Sequence, residues 1–446
     1  MNQTPLPVTV ISGFTGAGKF ALLDALLAND AGKRIGVVAF GSPEVPDEAR
    51  DLPNGCRRVT LADHSLEAIE RAIVALADTQ SFDALVIESP AMLDSMDIAE
   101  QLAFGNDDAA TLAGRARLDT FVTVIDGSRF LQDYVSTEAL AGDDDEGKTV
   151  VEALVEQIEF CDVLVIDACD DANRISKIAG ALNPRAHRLM AANSDVPLDD
   201  VLDTGRFDFD GTAGAPGWLA ILNGEAPSIE ADEASETGHF VYRARRPFHP
   251  ERLWALLHQE WTGVIRAKGF FWLATRGEVG GSLSQAGATL RHGPAGVWWV
   301  AQDRSEWPTD DPELEAEIVA EWYGDPDDKS IGDRRQELVL TDRRAPRSGR
   351  LAVTLRRVPV ERRRMVARRG RVASLRRSVP RVGRGISRNT ITTTITFTAP
   401  TAAATTTITD PTHARIPAND GIGIGAGLTA RPYPTPPCVR VRTRWF

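Results

Sequence analysis

One short loop carries the residues best able to do chemistry. In Gly13-Phe14-Thr15-Gly16-Ala17-Gly18-Lys19-Phe20, glycines and a lysine stand at the spacing G-x-x-x-x-G-K. In that pattern backbone N–H groups and a helix N-terminus cradle a nucleotide's phosphates, and the lysine reaches the terminal ones. The pattern ordinarily closes on Ser or Thr, whose hydroxyl ligates Mg²⁺. Phe20 holds that place here, with Ala21 after it. Gly13, Gly16, Ala17, Gly18, Lys19 and Phe20 are the candidate phosphate-binding residues. Phosphate can dock on the loop and on Lys19, while the metal has lost its usual protein ligand.

Such a loop works only between a strand and a helix. Residues 8–12 read as a buried strand and residues 21–28 as a helix. Four further apolar segments, 35–40, 84–88, 121–126 and 163–167, alternate with helix-like stretches such as 65–77 and 150–159. This alternation predicts an α/β fold, a doubly wound, mostly parallel sheet with helices on both faces. Ligands on such sheets bind beyond the carboxyl ends of the strands, so the loops after Ser12, Phe40, Glu88 and Asp167 are the place for chemistry. The reading divides the chain into a nucleotide-binding domain over 1–215, a linker over 216–237, a smaller α+β domain over 238–340 that is cut short, and a low-complexity basic tail over 341–446. An acidic stretch at 143–147 interrupts the first domain as a loop. Seven of the nine tryptophans fall between Trp254 and Trp322, where they are expected to build the core or rim of the second domain.

Charge divides the chain more sharply than hydropathy does. Residues 341–446 hold 22 Arg, no Lys and 4 acidic residues, a net +18, against −31 for the rest. The tail has three readings. It is a basic arm for RNA or anionic surfaces, a solvated tail without a specific role, or frame-shifted coding; Arg without Lys favours the last. No apolar stretch approaches the roughly 20 residues of a membrane span, and no leader pattern opens the chain. Cys56, Cys161, Cys169 and Cys438 are too scattered for a disulfide framework. The expectation is a cytoplasmic protein that does not engage membranes.

The chain resembles the CobW family of P-loop GTPases, within the group that includes nickel- and cobalt-insertion GTPases and zinc metallochaperones. Residues 6–19, 85–89, 118–126, 155–166 and 182–185 carry the resemblance in the first half. Residues 240–252, 268–273 and 332–338 carry it in the second. The resemblance implies a P-loop GTPase domain, a CobW C-terminal domain, and GTP-dependent delivery of zinc or cobalt to a client metalloprotein. It also exposes departures. Val38-Ala39-Phe40-Gly41 stands where the family reads Val-Val-Asn-Asp or Val-Val-Asn-Glu. Glu88-Ser89-Pro90-Ala91 replaces the Glu-Ser-Thr-Gly that lies near the γ-phosphate, leaving Glu88 as the candidate catalytic residue. Asp167-Ala168-Cys169-Asp170 replaces the guanine-reading Asn-Lys-x-Asp, in which Asp170 alone is kept. Gly55-Cys56-Arg57-Arg58-Val59 replaces the metal-binding Gly-Cys-x-Cys-Cys, leaving Cys56 as the candidate metal residue.

Losing one such electrostatic contact typically costs about 3 kcal/mol, or 10²–10³ in rate, and several are lost. The expectation is weak GTP binding, Mg²⁺ not held by the usual protein ligands, Zn²⁺ binding impaired, and hydrolysis weak or absent. The alternative is a non-catalytic GTPase-like adaptor that recruits a partner such as a ribosome hibernation factor. A working enzyme would need Mg²⁺ held by water and phosphate alone. Other singletons have plainer readings: Asp126 orients a loop, His64 and His249 cap or face solvent, and Cys161 and Cys169 pack against a strand.

Overall fold

The computed structural model describes residues 5–14, 17–28, 31–42, 44, 46–90, 93–104, 114–140, 148–192, 195–209, 211, 216–217, 219, 237–259, 261–308, 312–324, 329–343, 354–359 and 393–396. Thr15, Gly16 and Ala91 of the site motifs, the acidic stretch 143–147, most of the linker and the Arg-rich run 362–388 lie outside the described residues.

The first half runs β1 (Leu6–Ser12), α1 (Ala17–Leu27), β2 (Ile35–Phe40), β3 (Glu48–Asp51), β4 (Arg57–Leu61), α2 (Leu66–Asp78), β5 (Ala84–Glu88), α3 (Ser95–Phe104), β6 (Ala116–Ile125), α4 (Phe130–Tyr134), α5 (Val150–Phe160), β7 (Val163–Asp167), α6 (Ala172–Leu182) and β8 (His187–Ala191). Its eight-stranded sheet has the order β3-β4-β2-β5-β1-β6-β7-β8. Every pair is parallel except β3 with β4. All five strands expected from sequence are present. Three more, β3, β4 and β8, lack a continuous apolar run: β3 is Glu-Ala-Arg-Asp and wholly exposed, and β4 opens on two arginines. Their hydrogen-bonding partners, not their own hydrophobicity, make them strands.

Local signals fix the helices. Ser65 caps α2, accepting from the Ala68 N–H. Ala68, Ile69, Ala72, Ile73 and Leu76 then repeat at helical spacing and are buried against Val38, Leu85 and Ile87. Thr149 and Glu152 form a reciprocal capping box at α5. On the opposite face of the sheet, α1 packs Leu22, Leu23 and Leu26 against Ile11, Val37, Val86 and Val122. That face carries the site.

The second half contains β9 (Thr237–Ala244), α7 (Pro250–Leu257), β10 (Val264–Leu273), β11 (Arg276–Ala286), β12 (Thr289–Val297), α8 (Pro312–Ala320), β13 (Gln336–Arg343) and β14 (Thr393–Thr396). They form an antiparallel sheet in the order β14-β12-β11-β10-β13-β9. Trp261 sits in its core with Phe248, Phe271, Leu290 and Leu338, Trp272 and Trp298 form a second buried cluster with Val300, and Trp254 is exposed. The two halves meet through α4 and α5. The Tyr134 hydroxyl donates to the Ile265 carbonyl at 2.6 Å. Ile265 and Ala286 join the hydrophobic core of α5 and α6.

Folded structure continues past residue 340, where the sequence placed the start of the tail. β13 runs to Arg343, fully paired with β9. Leu355 and Val358 are buried in the second domain's core, and the His249 N–H donates to the Val358 carbonyl at 3.1 Å. Low-complexity, Arg-rich text hid these two apolar residues. β14 pairs with β12 from Thr289 to His292, inside a stretch that composition alone gives no reason to fold.

Candidate phosphate site

Gly13 follows β1 at φ +146°, and a Cβ there would lie 2.6 Å from the Val124 carbonyl oxygen. Only glycine fits this close approach to β6 at a backbone angle that L side chains avoid. The chain therefore turns at Gly13, beside the carboxyl end of β6. α1 begins at Ala17, followed by Gly18, Lys19 and Phe20 in its first turn.

Lys19 is buried, with 5% of its side chain exposed. Its Nζ donates to the Ser89 carbonyl at 3.0 Å and lies 3.7 Å from Glu88 Oε1. Burial lowers the Lys19 pKa from its ordinary value, and Glu88 opposes that shift. Glu88 is gripped from its other side, where Arg58 Nη2 donates to Oε2 at 3.1 Å. One carboxylate thus serves two cations. Phe20 is 46% exposed, and its ring centroid lies 5.9 Å from Lys19 Nζ.

Strand register explains why Arg58 arrives there. Arg58 pairs with Val37 on β2, Val37 pairs with Val86 on β5, and Glu88 lies two residues past Val86. Residues paired laterally, and those two apart along a strand, share a face. Arg58, Glu88 and α1 therefore stand on one side of the sheet. Cys56, two residues before Arg58, shares that side and is buried among the α1 core residues. Its Sγ accepts from the Ile35 N–H at 3.3 Å and donates to the Lys33 carbonyl at 3.7 Å. Arg57 pairs instead with Asp51 at 2.7 Å. No group of three or more His, Cys, Asp or Glu that could hold a metal ion occurs among the described residues.

The remaining candidates stand apart from the lysine. Asp170 is exposed at the loop after β7, and Cys169 beside it is half-buried. Gly127 permits that loop to approach, since a Cβ there would lie 2.3 Å from the Asp167 carbonyl oxygen. Asp126 orients its own loop by accepting from the Ser128 N–H and hydroxyl at 2.9 and 2.6 Å. His64 contacts the Gly41 carbonyl at 3.0 Å. His249 sits at the N-cap of α7 without a side-chain cap bond.

Comparison with known proteins decides the family. Residues 7–194 match the CobW/HypB/UreG nucleotide-binding domain, and residues 237–348 match the cobalamin synthesis protein CobW C-terminal domain. The chain is 34% identical over 375 residues to the zinc-regulated GTPase metalloprotein activator 1 of Dictyostelium discoideum, covering 75% of this chain and 76% of that one. The chain belongs to the CobW family. A zinc chaperone of Mycobacterium tuberculosis is 34% identical over 195 residues, 43% of this chain and 45% of the relative's length. Superposition on the Zn(II)-bound YjiA GTPase from E. coli covers 80% of this chain at 18% identity and a TM-score of 0.38, too low to carry an argument. The C-terminal match to residue 348 agrees with the strand that runs past residue 340.

Among the described residues, the side chains around this CobW-family loop leave few free oxygens for Mg²⁺, which the family's loop implies. Phe20 offers no oxygen. Glu88 is committed to Lys19 and Arg58. Ser12, at the end of β1, spends its hydroxyl on Thr123 Oγ1 at 2.8 Å. The Ser89 hydroxyl donates to the Pro90 carbonyl at 3.2 Å. Among the described residues, no helix is long and apolar enough to cross a membrane.

Proposed function

We propose that this chain is a GTP-binding protein of the zinc and cobalt chaperone class whose own hydrolysis and metal binding are weak or lost. The observation that carries the reading is the retained Lys19 at a loop whose hydroxyl has become Phe20. Lys19 and the loop N–H groups grip the phosphates, and Asp170 accepts from the guanine edge. Phosphoryl transfer needs charge neutralisation and a placed water. Glu88, held by two cations, is poorly disposed to orient that water. Cys56 is the sole candidate for a soft metal contact in its motif, and its burial among Leu22, Val37 and Val86 disfavours a Zn²⁺ site of four ligands.

The partner is a client metalloprotein in the cytoplasm. The absence of a metal-holding cluster among the described residues favours a second reading, an adaptor whose surface recruits a factor such as one acting on ribosomes. Phosphate release from GTP and competition for Zn²⁺ against a chromogenic chelator test the first reading, and co-purification of a partner tests the second. The proposal expects little turnover and weak Zn²⁺ retention. Brisk turnover, or stoichiometric Zn²⁺ lost in Cys56→Ser, would overturn it in favour of a working metallochaperone.

A further inference from the structure

Resting on the nucleotide-binding reading, we infer that Arg58 replaces the metal as second cation of the site. The loop takes a nucleoside di- or triphosphate as a metal-free anion between Lys19 and Arg58, and Glu88 is the internal anion that the phosphate displaces. Three observations converge. Arg58 stands on the α1 face by register and reaches Glu88 at 3.1 Å, while its neighbour Arg57 is spent on Asp51. The cluster holds two cations against one carboxylate, so it carries an excess positive charge beside a phosphate loop. Arg58 is also the accessible member: 33% of its side chain is exposed, against 5% for Lys19 and 9% for Glu88.

The chemistry suits a phosphate. A guanidinium offers a planar fork of donors that matches two phosphate oxygens, stays charged, and costs less to desolvate than an ammonium. Mg²⁺ at this position would meet Phe20, which offers no oxygen. A phosphate oxygen instead satisfies Lys19 and Arg58 together and frees Glu88, with no oxygen ligand needed from position 20. Because Glu88 competes with the ligand, neutralising it should tighten binding.

The test is calorimetric titration of the full chain with GDP and GTP in excess EDTA, comparing wild type with Arg58→Ala, Arg58→Lys and Glu88→Gln, each checked for native melting. The expected result is measurable wild-type affinity without metal and a loss of about tenfold or more in Arg58→Ala. Arg58→Lys should restore part of the loss, and Glu88→Gln should gain several-fold. Metal-free affinity unchanged by Arg58→Ala would overturn the inference and leave the nucleotide reading intact. No binding by wild type or Glu88→Gln, with or without Mg²⁺, would overturn both.

Discussion

Two buried charge clusters in this molecule obey opposite rules. At the junction of the two domains Arg266 bonds Glu159 at 2.7 and 3.1 Å, with Lys268 and Glu156 beside them so that two cations meet two carboxylates, and the Arg266 and Glu159 side chains are almost fully enclosed. Arg266 also donates to Ser284 and the Gln285 carbonyl, so its donors are satisfied. At the phosphate loop one carboxylate answers two cations, at 3.1 and 3.7 Å, and one cation remains a third open to water. A balanced, closed cluster holds two domains together. An unbalanced, partly open one keeps charge in reserve for something that is not part of the chain.

The sharpest way to break this contrast is to delete one member from each. Glu159→Ala leaves the Arg266 charge buried without its carboxylate and should cost about 3–5 kcal/mol in denaturant unfolding. A cost near zero would mean that the domain junction is not held as described. Leu355→Ala should cost about 2–4 kcal/mol, because that leucine is buried in the second domain's core. Truncation after residue 340 should destabilise similarly, because it removes the last residues of β13 together with Leu355 and Val358. Arg58→Ala should change stability by about 1 kcal/mol or less, since the pair is partly solvated. A larger loss would recast Arg58 as a structural residue.

The smallest effect is on pH. The Lys19 pKa is lowered by burial, so its ammonium loses a proton at lower pH than the ordinary lysine value of 10.5. The unfolded chain binds more protons across that window, so this group's contribution to stability rises with pH there. Phosphate affinity moves the other way and should decline below pH 10.5. Titrations of GDP affinity against pH check the sign; a flat profile up to 10.5 would show that Lys19 does not carry the phosphate.

How much of this was legible depends on whether a residue declares itself locally. The strands β1, β2, β5, β6 and β7 are buried apolar runs flanked by helices, and the parallel sheet follows from their alternation. Lys19 and Phe20 follow from spacing. β4 did not declare itself, because Arg57 and Arg58 open it and only pairing to β2 makes it a strand. The Arg58–Glu88 contact spans 30 residues and needs that register before it can be seen. The two arginines were readable as misplaced metal ligands, but not that one turns to the phosphate loop and the other to Asp51. Leu355 and Val358 were hidden for a related reason. The apolar residues between Leu351 and Val360 are too few, among arginines, to read as an element, and the place of Leu355 and Val358 is set by a core whose strand β13 ends a dozen residues earlier.

The central claim is that this loop holds phosphate through protein cations instead of Mg²⁺. Calorimetric titration of the wild-type chain with GTP, in Mg²⁺ and again in EDTA, tests it most directly. The account predicts affinities within about threefold of each other. A gain of about tenfold or more on adding Mg²⁺ would contradict it.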